Sequence, residues 1–117
     1  MVVAQGDVVW VSLPWTNGSE PAGRRPGVVL QADRFNQSRI NTIVVAAITS
    51  NLRYTDMLGN VRLQKHEAGL PRASVVNVTQ IATLDRSRIC GKLGHLTRRP
   101  LEQVWDGLDL VMGLEPA

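Results

Sequence analysis

Near the start of the chain, Val9, Val11 and Leu13 alternate with Val8, Trp10 and Ser12, the two-residue period of a strand with one buried face, and Pro14 ends it. From Thr16 to Pro26 the apolar period disappears into Asn17, Gly18, Ser19, Pro21 and Gly23, turn-forming residues that predict a long surface loop. Gly27 to Gln31 and Thr42 to Ile48 are β-branched runs of strand length and predict two central strands. Asn60 to Leu63, Ser74 to Val78 and Ile89 to Leu93 predict three shorter ones, punctuated by Gly69-Leu70-Pro71 and Asp85-Arg86-Ser87. The period then changes: Leu101, Val104, Trp105, Leu108, Val111 and Met112 recur at the spacing of one face of a helix. Thr97 stands where an N-cap belongs, Leu96 and Leu101 are spaced as a hydrophobic staple, Pro100 falls in the first turn and Gly113 supplies a stop. The pattern predicts a mainly β chain with a C-terminal α-helix, folded as a small barrel or rolled sheet, in one domain over residues 1–117.

Composition narrows the partners. The 117 residues carry 13 basic and 10 acidic side chains, a formal charge of +3. Residues 97–117 balance at −2, so the positive field belongs to the first part of the chain, where it favours a polyanionic partner. Eleven of the 13 cations are arginine, whose planar fork matches phosphate oxygens two at a time; a GC-rich coding sequence would produce the same bias. No apolar run approaches the ~20 residues of a membrane span, and no basic stretch followed by an apolar one marks a secretory signal. A single cysteine, Cys90, excludes an intrachain disulfide and fits a reducing cytoplasm, so a cytoplasmic protein with no membrane partner is expected.

Several chemistries lack their parts. His66, His95 and Cys90 are scattered, with no ligand spacing for a metal, and no glycine-rich phosphate cradle follows a strand, so neither metal nor other cofactor is expected. Cys90 lies in a predicted strand beside Ile89 and reads as a buried, inert thiol. His95 reads as a strand-end residue rather than a base. The loop from Gly18 to Pro26 is different: Glu20, Arg24 and Arg25 stand close together at the mouth of a strand, and Pro26 restricts Arg25 to extended backbone. That arrangement would preorganise a guanidinium against a phosphate, with the hydroxyl of Thr49, at the end of the next long strand, as a further donor. Trp15 offers a stacking platform for a base or a lid over the core.

At these residues the chain resembles the MazF/PemK-type toxin endoribonucleases of bacterial toxin–antitoxin pairs. The resemblance runs through Gly6-Asp7-Val8-Val9-Trp10, Gly18-Ser19-Glu20, Gly23-Arg24-Arg25-Pro26-Gly27, Val45-Ala46-Ala47-Ile48-Thr49 and Gln80-Ile81-Ala82-Thr83-Leu84-Asp85-Arg86, to about Gly94-His95-Leu96. It implies a small SH3-like barrel of the MazF/PemK/CcdB toxin type, a homodimer, an acidic antitoxin as partner and metal-independent cutting of single-stranded RNA. Carried over, Arg25 and Thr49 match the family's catalytic pair and Glu20 an acidic residue near the site; Gln80 matches an RNA-binding glutamine, and Arg24, Trp15 and Arg86 complete the candidate RNA-binding set. Two departures stand out: Gln5 replaces a basic residue before Gly6-Asp7, and Arg24 doubles the single arginine that usually precedes the proline. The loop from Arg53 to Leu70 is poorly matched.

Such a site would use the ribose 2′-hydroxyl as an internal nucleophile, leaving a cyclic phosphate and a 5′-hydroxyl. Arg25 would supply positive charge, Thr49 would hold a phosphate oxygen, and the proton acceptor stays open between Glu20 and other groups. Two other readings share the fold: a gyrase-binding poison of the CcdB type and a catalytically inactive RNA-binding module. The first is disfavoured by the terminus Leu114-Glu115-Pro116-Ala117, which lacks the tryptophan, glycine and isoleucine that end the gyrase poisons.

Overall fold

The computed structural model describes residues 2–12 and 23–113. Strands β1 (Asp7–Ser12), β2 (Arg24–Val29), β3 (Thr42–Thr49), β4 (Val61–Leu63), β5 (Ser74–Asp85) and β6 (Ile89–His95) form one antiparallel sheet in the order β4-β5-β3-β2-β1-β6. A single turn, α1 (Asp33–Asn36), lies between β2 and β3, and α2 (Arg98–Met112) ends the described chain. Among the described residues no helix is long and apolar enough to cross a membrane.

The sheet curls so that each face buries its own set of side chains. On one face Val8, Val28, Ile48, Leu63 and Val76 pack against α2 through Val104, Leu101 and Leu108. On the other, Val9, Val11, Val29, Ile43, Val45 and Leu84 close over one another. In β1 the alternation sends Val8 to one core and Val9 and Val11 to the other. Both faces are buried where the sequence period predicts one, because the curled sheet has a core on each side; each fully buried valine or leucine contributes about 1.5–3 kcal/mol.

The two sheet edges, β4 and β6, are joined by a turn rather than by a ladder. His66 and Ala68 adopt positive φ and Gly69 a φ of 77°, so the chain doubles back and His66 N–H bonds the Leu70 carbonyl at 2.8 Å. Gly69 then lies against the Leu93 backbone and Gly94 against that of Ala68, approaches too close for a Cβ on either glycine. This contact fixes Leu70-Pro71-Arg72, which forms one wall of the groove described below.

Several expectations change. β5 continues past Val78 to Asp85, because a bulge opposite Ala46 and Ala47 takes up the residues between Asn77 and Ile81, where Thr79 and Gln80 are exposed, and pairing then resumes. β2 starts at Arg24, inside the predicted loop; over Arg24 to Pro26 it pairs only with β1, so Pro26 needs no donor toward β3. Cys90 is exposed rather than buried, since β6 is an edge strand and the register shift between Trp10 and Val11 turns the thiol outward. In α2, Thr97 occupies the N-cap position without a side-chain capping bond, while Gly113 stops the helix at φ 57°. Val111 and Met112, counted on the apolar stripe, are exposed because the core beneath the helix ends at Leu108.

Candidate active site

Where β1, β2 and β3 run out beyond the core, they leave a groove of about 320 Å³. Its apolar lining comes from Trp10, Pro26, Ile48, Leu70 and Pro71. Three arginines, Arg24, Arg25 and Arg72, line it together with the hydroxyl residues Ser50 and Ser74, and no described lining residue carries a carboxylate. The chemistry of the lining is therefore that of a site for an anion attached to a flat apolar group.

Strand pairing explains how residues far apart in sequence meet here. Arg24 faces Ser12, Arg25 faces Val11 and Pro26 faces Trp10 across β1 and β2. Between β2 and β3 the pairing runs from Val29 opposite Val45 to Gly27 opposite Ala47 and stops there, so Arg25 and Thr49 lie two residues beyond it, near the ends of their strands. Two residues 24 positions apart in the chain are thereby brought to one end of the sheet. Pleating turns Arg24 and Trp10 to the groove face together; Thr49 does not line the groove, its neighbours Ile48 and Ser50 being there instead. The Arg24 guanidinium sits 5.9 Å from the Trp10 ring centre, a cation–π contact that holds it over the groove floor. Thr49 Oγ1 accepts the Asn51 N–H at 3.1 Å, which occupies a lone pair and leaves the O–H as a donor. Arg72 follows the rigid 66–70 turn, and its carbonyl is held by the buried Ser74 hydroxyl at 2.9 Å.

With this geometry in place, residues 4–112 match the family profile described as PemK-like, MazF-like toxin of type II toxin–antitoxin system. The chain belongs to that toxin family. Over 114 residues it is 40% identical to the endoribonuclease MazF6 of Mycobacterium tuberculosis, covering 97% of this chain and all of that protein. Among solved structures it resembles MazF from Deinococcus radiodurans, with a TM-score of 0.78, 27% identity and coverage of 97% and 99% of the two chains. It also resembles a MazE–MazF structure from the same organism, with a TM-score of 0.77, 25% identity and coverage of 98% and 99%.

Within this MazF-type toxin the remaining predicted residues are dispersed. Glu20 and Trp15 lie outside the described residues. Gln80 is exposed in the β5 bulge at the level of Ala46, about 10 Å along β3 from Thr49. Arg86 is not at the groove at all: it follows Asp85, which pairs with Thr42 at the opposite end of β3, and its guanidinium bonds the carbonyls of Ile40, Phe35 and Asn36. Trp10 and Arg72 line the groove without having been singled out in the sequence. Trp10 read only as one step of a strand alternation, and Arg72 has no local motif beyond the Gly69-Leu70-Pro71 turn before it.

A second charged cluster lies at the other end of β1. Asp7, 1% exposed, accepts the Ala4 N–H at 2.8 Å and faces His95 Nδ1 at 2.8 Å and Lys92 Nζ at 3.2 Å. Burial alone pushes its carboxyl up, but the bonds from His95, Ala4 and Lys92 outweigh that and hold it below the usual carboxylate range. His95 is thus the strand-end residue expected of it, tying β6 to β1.

Proposed function

We propose that this toxin endoribonuclease cuts single-stranded RNA without a metal, by attack of the substrate's own 2′-oxygen on the adjacent phosphorus. The P–O5′ bond breaks as the new P–O2′ bond forms, the 2′-proton passes to an acceptor and the departing 5′-oxygen gains a proton, leaving a 2′,3′-cyclic phosphate and a 5′-hydroxyl. Arg25 neutralises the charge that develops on the phosphorane and Thr49 donates to a non-bridging oxygen, while Glu20 is our candidate acceptor. Arg24, Trp10 and Gln80 bind the strand on either side. The observation that supports this reading is the groove lined by Arg24, Arg25 and Arg72 with Ser50 and Ser74, beside the end of β3 that carries Thr49. A metal is not required by this chemistry, and the described residues bring no three His, Cys, Asp or Glu side chains together.

The same reading makes the protein a cytoplasmic, single-domain toxin that works as a homodimer and is neutralised by an acidic antitoxin segment lying in the RNA groove. The charge of the groove supports both ligands, since a disordered acidic peptide orders on a surface that also attracts RNA. The test is to incubate purified protein with mixed RNA in excess EDTA and map the new ends. Cleavage giving cyclic-phosphate and 5′-hydroxyl ends is expected; intact RNA, or 3′-hydroxyl and 5′-phosphate ends, would overturn the proposal.

A further inference from the structure

The end of the sheet opposite the groove carries a separate concentration of positive charge. Arg86 Nε donates to the Ile40 carbonyl at 2.6 Å and Nη2 to those of Asn36 at 2.9 Å and Phe35 at 3.3 Å, while the Arg86 N–H bonds the Asn41 carbonyl at 2.8 Å. These bonds clamp the segment of α1 and the turn after it against the β5–β6 connection. Arg34 and Arg39 on the first segment are thereby carried to the same end as Arg88 on the second, and Arg34 and Arg39 are exposed. The bonding partners of Arg86 are neutral carbonyls, which satisfy its donors without cancelling its charge.

The two carboxylates of this end are already engaged. Asp33 accepts the Gln5 N–H at 2.7 Å and the Asn36 amide at 3.2 Å, and Asp85 accepts the Ser87 N–H at 2.9 Å. Neutral donors leave both carboxylates charged, and Arg88 acts on Asp85, so among the described residues four guanidiniums against two carboxylates leave this end with an excess of two positive charges. Between the cations lie two exposed apolar side chains, Phe35 at 51% and Ile40 at 40%. The succession Arg34-Phe35 and Arg39-Ile40 alternates cation with flat or apolar surface, as a single nucleic-acid strand alternates phosphate with base.

We infer that this patch is a second RNA-binding surface, which holds the strand beyond the cut site through phosphate contacts from Arg34, Arg39 and Arg88 and stacking on Phe35. The inference rests on the reading of the groove as an RNA site. β3 measures the separation: Thr42 pairs with Asp85 beside the patch and Ile48 lines the groove, six residue steps or about 20 Å apart. A short oligonucleotide that fills the groove does not reach the patch; a longer one does. An acidic peptide would meet the same charge, but the exposed ring among the arginines favours a ligand with bases to stack.

The test compares one mapped cut site in two substrates, a short oligonucleotide and the same site flanked by unstructured poly(U), across a salt series. The wild-type protein should show a lower KM on the flanked substrate. In the combined variant Arg34→Ala/Phe35→Ala/Arg39→Ala, KM for the flanked RNA should rise about 10-fold. Its logarithmic salt slope should fall by about 1.4, two single-strand phosphate contacts, with kcat and KM on the short oligonucleotide unchanged. Equal KM for both substrates in the wild type, an undiminished advantage of the flanked RNA in the variant, or equal losses on both substrates would each overturn the inference. Unchanged RNA kinetics with weakened binding of an acidic antitoxin peptide would assign the patch to protein instead. If the wild type cut neither RNA, the proposed function would fall, and fluorescence anisotropy of labelled poly(U) on the two proteins would still decide the patch: equal affinity would overturn it.

Discussion

Replacing Asp7 with asparagine should loosen the barrel without touching its chemistry. Asp7 is 1% exposed and gathers three donors, the Ala4 amide and the half-exposed His95 and Lys92, so its charge ties the N-terminal segment, β1 and β6 together. Hydrogen bonds to a charged group contribute ~1.5–3 kcal/mol each, but His95 and Lys92 regain water when released, and asparagine still accepts from Ala4. The expected net loss is therefore about 2 kcal/mol at neutral pH, or roughly 10 °C in Tm for a domain of this size. The pH dependence has a definite sign. A carboxyl whose folded pKa is depressed stabilises the fold above its unfolded pKa and loses that contribution as pH falls through the folded value. Wild-type Tm should accordingly decline below about pH 5, whereas the asparagine variant, lacking this group, should decline less and the gap should narrow. Calorimetric melts from pH 3 to 7 would measure this. A variant with the wild-type Tm at pH 7, or a gap that widens as the pH falls, would refute the reasoning. Its kcat, measured well below its Tm, should stay that of the wild type, since the cluster lies at the end of β1 away from the groove.

The remaining predictions concern the rim and the barrel closure. Arg25→Ala and Thr49→Ala should each reduce RNA cleavage by about 100-fold or more, the loss expected for a preorganised oxyanion donor, with little change in Tm. Arg24→Ala should do less, because its guanidinium sits over Trp10; a larger loss for Arg24→Ala would reverse the assignment of the doubled arginine. On β6, Gly94→Ala should destabilise by about 1–3 kcal/mol because its Cβ would meet the Ala68 backbone, whereas Gly91→Ala, whose Cβ would meet only Trp10 at 3.9 Å, should be tolerated. Urea denaturation of the two variants side by side would show equal stabilities if the turn at 66–70 did not close the sheet.

The parts of this fold that were legible in the sequence are those where one period runs uninterrupted. The alternation from Val8 to Ser12 and the run from Thr42 to Ile48 lie in strands with a core on either side, and the stripe from Leu101 to Leu108 lies where one helix face packs on the sheet. Legibility fails where pairing and burial part company. Thr79 and Gln80 bulge out of β5 and masked the strand that resumes at Ile81; Pro26 made the start of β2 read as loop, although there β2 pairs only with β1. Cys90 read as buried because a strand interior usually is, and nothing local announces that β6 is an edge.

The site divides the same way. Arg25 and Thr49 are identified through the chain's likeness to a family and through their positions near strand ends; the structure brings Arg25 to the groove and Thr49 to the strand end beside it, while β2–β3 pairing stops at Gly27 and Ala47. Trp10 and Arg72 were missed because the groove they line is created by the curl of the sheet and by the backward turn at His66 to Gly69, neither of which any short stretch of sequence encodes. Arg86, assigned to the RNA-binding set from the sequence, lies beyond the end of β5 away from the groove, where its guanidinium bonds the carbonyls of Ile40, Phe35 and Asn36.

Internal attack by the 2′-hydroxyl is the central claim, and one substitution in the substrate tests it most directly. An RNA oligonucleotide with a mapped cut site is compared with its counterpart carrying a single 2′-deoxy nucleotide immediately 5′ of the scissile phosphate, in EDTA and with the same protein. The deoxy oligonucleotide should bind in competition with the parent and remain uncut at that position, because the nucleophile has been removed while the strand and its phosphates are intact. Cleavage of the deoxy oligonucleotide at the same phosphate would contradict the mechanism.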